Sequence, residues 1–157
     1  MTNVKINYSE GDIISIPLTD NSGRAARGVV ARMDGKGRIF GYFFPPSDDG
    51  GISEGLAQDK AILVGKFGDR GLTIEGTWKV VGKVEPWSRD EWPFPKHLLR
   101  VDEIDKVAYL TEYDPETLQM GKEQKFDLND IDPKEYYKDS LMGAGFVEER
   151  LTQLVNE

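Results

Sequence analysis

The 157-residue chain has no cysteine, a single histidine and a formal net charge of -8, which excludes disulfide scaffolds, thiol catalysis and cysteine-ligated zinc. A basic nucleic-acid footprint is missing from the composition, and no run approaches the ~18 apolar residues of a membrane span. The length suits one domain, residues 1–157, able to bury roughly 70% of the surface its unfolded form exposes.

The opening MTNVKINYSE lacks a basic region followed by an apolar run, so a soluble, cytoplasmic protein is expected. In SEGDIISIPL, Ile14, Ile16 and Leu18 share one parity and Ile13, Ser15 and Pro17 the other, the period of a half-buried strand. Gly11-Asp12 then reads as the turn into that strand. Pro17, which has no ladder N–H to give, marks its end or an edge. RAARGVVARM (24–33) reads as a second strand, and Asp34-Gly35 as a hairpin leading to GRIFGYFF (37–44).

The polar loop PPSDDGGISEGLAQD follows, with one helical turn expected near residues 52–58. Further strands are expected at KAILVGKF (60–67), TWKVVGKV (77–84) and KVAYLTEY (106–113). Asp132-Pro133-Lys134-Glu135 combines an N-cap acid, proline at the first helical position and a glutamate three residues after the cap. A helix is therefore expected from Pro133, weakened by Gly143 and Gly145 and resumed by Val147, Leu151, Leu154 and Val155. Seventeen glycines between short apolar runs favour tight turns. The fold class expected is α+β: mostly antiparallel β, as a curved sheet or partial SH3-like barrel, with C-terminal helical structure.

Charge divides unevenly along the chain. Residues 1–80 hold 10 basic and 10 acidic side chains, and the remainder 10 basic and 18 acidic. An acidic half serves either as a solvated face or as a surface for a basic partner.

Candidate chemistry is sparse. One histidine, His97, falls short of the imidazole set that hydrolytic zinc sites use. Asp48-Asp49 and Asp102-Glu103-Asp105 could offer a carboxylate magnesium site, although paired acids in loops are common at this charge. Ser88, His97 and Asp90 or Asp102 could form a triad only on paper, since no Gly-x-Ser-x-Gly elbow occurs. No glycine-rich phosphate cradle lies between a strand and a helix, so no cofactor and no metal are expected.

Trp78, Trp87, Trp92 and Phe94 crowd into seventeen residues among Pro86, Pro93 and Pro95. Alternation makes Trp78 a core residue. Trp87 and Trp92 flank a charged loop and suit either core packing or contact with a partner, for aromatics beside charges are the usual makeup of a binding hot spot.

GDIISIPL, the strand RGVVAR, the aromatic GYFF, TWKVVGKVEPW and WPFP together resemble the immunity protein 26 family of bacterial polymorphic toxin systems. The matching positions are Gly11, Asp12, Ile16, Pro17 and Leu18; Gly28 and Val29; and Trp78, Val80, Val81, Gly82 and Pro86, spread over residues 9–113. The resemblance implies a mostly β protein that occludes the active site of a cognate protein toxin, without catalysis, and with neither nucleic acid nor membrane as partner. The expected contact residues are Trp87, Asp90, Glu91 and Trp92, with Asp102, Glu103 and Asp105 as steering charges; a basic nuclease toxin would suit an acidic face drawn from residues 85–116.

Two other likenesses lie further off. The opening strand is similar to that of SH3-like ribonuclease toxins of the MazF/PemK type, which generally continue into an Arg-Pro pair where this chain has Arg27-Gly28-Val29. Some immunity protein 26 relatives carry a phosphotriesterase label, and a single histidine is a poor basis for a dinuclear metal mechanism.

Overall fold

The computed structural model describes residues 6–48 and 51–157. Among the described residues, ten strands and one α-helix form an α+β fold with a curved sheet: β1 (Asp12–Pro17), β2 (Ala25–Met33), β3 (Arg38–Phe44), β4 (Leu63–Gly68), β5 (Lys79–Lys83), β6 (Leu98–Asp102), β7 (Val107–Tyr113), β8 (Met120–Asp127), β9 (Tyr137–Lys138), β10 (Leu141–Met142) and α1 (Ala144–Val155). A six-stranded sheet runs β10-β4-β3-β2-β1-β5, and a four-stranded one β8-β7-β6-β9. Strands β1 to β4 make an antiparallel meander, and β5 returns to the free side of β1.

The parity of the first strand decides which core each side chain enters. Ile14, Ile16 and Leu18 join Val30, Phe43, Phe67 and Trp78 in a core covered by Val147 and Leu151 of α1. Trp78 is 1% exposed, and its indole N–H donates to Glu148 Oε2 on the helix at 2.9 Å, so a buried polar handle is satisfied across the layer. Val29, Ala31, Phe40, Tyr42 and Phe44 leave the opposite face of the same sheet and build a second core with Trp92 and Leu118. A third, smaller cluster around Leu99, Ala108 and Leu110 belongs to the second sheet.

Pro17 closes β1 opposite Ala25, where its missing N–H costs no interior ladder bond. Gly11 takes φ +91° in the preceding turn, a value that disfavours any side chain. Asp12 fixes that turn by accepting the Ser9 N–H at 2.7 Å.

The expected hairpin forms after Met33. Asp34 accepts the N–H groups of Lys36 (2.7 Å) and Arg38 (3.0 Å) and pairs with the Arg38 guanidinium at 3.1 Å. Burial opposes its charge, but these donors outweigh it and hold the carboxyl below the ordinary carboxylate range. A depressed folded pKa contributes stability that is complete above the unfolded value and disappears as pH falls through the folded one. Urea melts taken at decreasing acidic pH should therefore show a falling free energy of unfolding, with a shallower slope in Asp34→Asn.

Three expectations need correction. No long helix starts at Pro133: the Asp132 side chain does cap, accepting the Lys134 N–H at 3.0 Å, but the result is one 3-10 turn, Pro133–Glu135. The chain then goes extended, β9 pairing parallel to β6 and β10 parallel to β4, before α1 begins after Gly143. Tyr136-Tyr137 supply strand-favouring aromatics there, and strand pairing outweighs a local start signal. The helical turn expected at 52–58 is instead a 3-10 turn at Gln58–Lys60. Strands β6 and β8 were not expected at all; β8 is exposed along nearly its whole length and shows no apolar alternation.

Candidate functional site

The loop from Val84 to His97 lies across the second face of the larger sheet and is fixed at both ends of its aromatic segment. Val84 N–H donates to Gly11 O at 2.9 Å. The Trp87 ring then lies flat against Gly11, where an added Cβ would come within 3.0 Å of it, and its indole N–H donates to Glu10 Oε1 at 3.1 Å. Trp87 stacks on Trp92 with centroids 6.3 Å apart and planes 22° from parallel. Trp92 in turn meets Tyr42 and Phe44 edge-on at 5.3 and 5.9 Å, while Phe94 packs on Phe40 at 4.6 Å. The Tyr42 hydroxyl donates to the Pro93 carbonyl.

Two arginines hold the loop's backbone and flanks. Register between β2 and β3 slips between Val30 and Arg32, so that Arg32 sits opposite Phe40. Such a bulge re-aims a side chain, here placing the guanidinium on the second core's face. The buried Arg32 donates to the Trp92 carbonyl at 3.1 Å and reaches the Arg89 carbonyl at 3.5 Å. Burial, then the charge of Arg89, lowers its pKa. Arg89 itself clamps Glu116 through Nη1 at 2.7 Å. Its Nε lies 2.7 Å from Glu10 Oε1 but off the N–H axis, and makes an ion contact rather than a hydrogen bond.

Held in this way, the 3-10 turn Arg89–Glu91 presents Asp90 and Glu91 outward. They border a cleft of about 400 Å³ together with Asp59, and its apolar wall is Leu56, Val84 and Pro93, set over the almost fully buried Trp92. Three carboxylates beside an apolar wall suit a cationic group that carries an apolar stem.

The residues expected from sequence separate into two places. Trp87, Asp90, Glu91 and Trp92 do come together, with different surroundings. Trp92 is 2% exposed, so of the two roles left open for it the packing one describes its position, and it offers a partner no free face. Trp87 is half-buried. Asp102, Glu103 and Asp105 lie at the β6–β7 turn, at the end of β6 remote from the loop. There Asp102 Oδ1 accepts the N–H groups of Ile104 and Asp105 at 3.0 Å and shapes the turn, while Glu103 and Asp105 are exposed.

The paper triad does not assemble, because His97 Nε2 faces Glu112 at 3.2 Å. Among the described residues no three His, Asp or Glu side chains converge as a metal site would require, and Asp49 of the Asp48-Asp49 pair lies outside them. No helix among the described residues is long and apolar enough to cross a membrane.

Comparison with family models, curated proteins and solved structures finds no match to this chain.

Sequence reasoning missed Asp59, Arg32 and Glu116. Asp59 lies some thirty positions before Glu91 and reaches the cleft through the loop between β3 and β4 (about 30, against the short reach of local sequence patterns). Arg32 gave no signal either, since its aim depends on the bulge.

Proposed function

We propose that the chain is an immunity-type protein that binds a cognate protein toxin and occludes its active site, with the Arg89–Glu91 turn and its cleft at the centre of the contact. One observation carries the reading: Asp90 and Glu91 stand on a backbone pinned by Arg32, Arg89 and the Trp92 ring beside an apolar-walled cleft. A contact surface ordered before binding loses little conformational entropy in the complex, which favours affinity. The chain's net charge of -8 adds attraction toward a basic partner at long range, and Asp102, Glu103 and Asp105 would contribute to that field from outside the contact.

The test first reads the neighbouring gene, where a secreted protein ending in a short toxin domain is expected, and then co-expresses that domain with the chain and reads growth protection. The double variant Asp90→Lys/Glu91→Lys should lose protection and keep the wild-type melting temperature, because both side chains are exposed. Its association with the purified toxin domain should slow by about one to two orders of magnitude at low salt. Wild-type affinity should weaken as ionic strength rises. Protection unchanged by the double reversal would move the contact elsewhere on the molecule.

A further inference from the structure

Between the two sheets lies a cluster that toxin binding does not use. Lys66 on β4 extends toward the second sheet, and its Nζ stands 3.0 Å from Asp139 Oδ1, both side chains only 9% exposed. The Tyr113 hydroxyl, from β7, is shared between the two Asp139 oxygens at 2.8 and 3.0 Å. The Tyr113 ring covers the amine, with Nζ 3.7 Å from its centroid, and Phe94 and Phe40 continue the apolar surroundings.

We propose that Lys66 and Asp139 join in an intramolecular isopeptide bond. The step begins as one proton passes from the Lys66 ammonium to Asp139 Oδ1 across their 3.0 Å contact, which frees the nitrogen lone pair beside a carboxylic acid. The Lys66 nitrogen then attacks Asp139 Cγ. Tyr113 O–H donates to the oxygen on which negative charge develops, a preorganised donor of the kind that stabilises tetrahedral intermediates. The nitrogen's second proton passes directly to Asp139 Oδ1, the oxygen it already faces at 3.0 Å. That C–O bond breaks, the N–Cγ bond is complete, and one water leaves; no oxidant, cofactor or nucleotide is consumed. Condensation of separate amines and acids is disfavoured in water, but fixed neighbours react with effective molarities of about 10⁵–10⁸ M. With the Tyr113 ring over the nitrogen and both side chains only 9% exposed, little water reaches the amide to reverse the step. The link ties β4 of the larger sheet to the connection between β9 and β10, and so holds the sheets together covalently.

Mass spectrometry of the denatured full-length chain decides the question. The expected mass is the sequence mass less one water, with a branched peptide containing Lys66 and Asp139 after digestion. Lys66→Arg should have its full sequence mass, and Tyr113→Phe should be a mixture in which the linked form accumulates slowly. A wild-type chain at full sequence mass overturns the proposal. So does a water deficit that persists in Lys66→Arg, which would be a succinimide at an aspartate. The branched peptide is read from the wild-type protein, so the outcome does not depend on either variant folding.

Discussion

Trp92→Ala is expected to lower the free energy of unfolding by about 3–5 kcal/mol, the range for a large aromatic removed from a closed core. The ring fills the space between Tyr42, Phe44 and Trp87, and Tyr42 and Phe44 are fixed on paired strand β3 and cannot readily close around the void. Arg32 would still hold the Trp92 carbonyl, since its guanidinium bonds to the backbone of Trp92 and not to the ring. The loop would then remain tethered over a cavity, with Asp90 and Glu91 less firmly placed. Against a typical total of about 5–15 kcal/mol, the loss shows as a large fall in the urea midpoint. An unchanged midpoint would mean that the ring is dispensable to the core.

The same variant separates packing from contact. Trp92→Ala should impair protection and stability together, whereas Asp90→Lys/Glu91→Lys should impair protection alone. Trp87→Ala should fall between: its ring is half-buried, and its loss removes one stacking partner and the indole bond to Glu10.

Local pattern was sufficient wherever a strand is buried on alternate positions and ends in a residue with its own backbone demand. Ile14, Ile16 and Leu18 on one side, Pro17 at the end, and Asp34 at the next hairpin made the first three strands legible. The same pattern also marked Trp78 as core. Strand β8 escaped because Lys122, Glu123, Gln124 and Lys125 are all exposed, and an edge held mainly by its pairing with β7 leaves no hydrophobic period to read. The stretch after Asp132 misled for the opposite reason. Its cap is real and local, while the parallel pairings of β9 with β6 and β10 with β4 join residues far apart in sequence.

The aromatic loop stood out as a candidate by composition, but its depth was not legible. Whether Trp92 faces solvent depends on β2 and β3 presenting Tyr42 and Phe44 to it. Arg32 reaches the same face only through a one-residue slip, a feature that no single residue announces. Glu10 carried no signal of its own in the sequence, although its carboxylate joins Trp87 and Arg89 to the start of β1. The Gly11-Asp12 opening is therefore both the turn into the first strand and the floor on which the candidate site rests.

Lys66→Met/Asp139→Leu gives the second large effect. Removing one partner of a buried ion pair strands the other charge, at a cost of about 3–5 kcal/mol. Replacing both partners by apolar groups of similar size strands nothing, and for an ordinary buried pair the net change is near zero or favourable. With the isopeptide bond in place the expectation differs, because both the single and the double variants lose a cross-link that closes about 70 residues, and with it roughly 4 kcal/mol of restraint on the unfolded chain. The double variant should therefore unfold about 4 kcal/mol below the wild type in urea. Lys66→Met and Asp139→Leu alone should fall lower still, each retaining one unpaired buried charge beside Tyr113. A double variant as stable as the wild type would mean that the sheets are joined by an ion pair alone. A deficit retained in the double variant would show that the junction of the two sheets restrains the unfolded chain as well as the folded one.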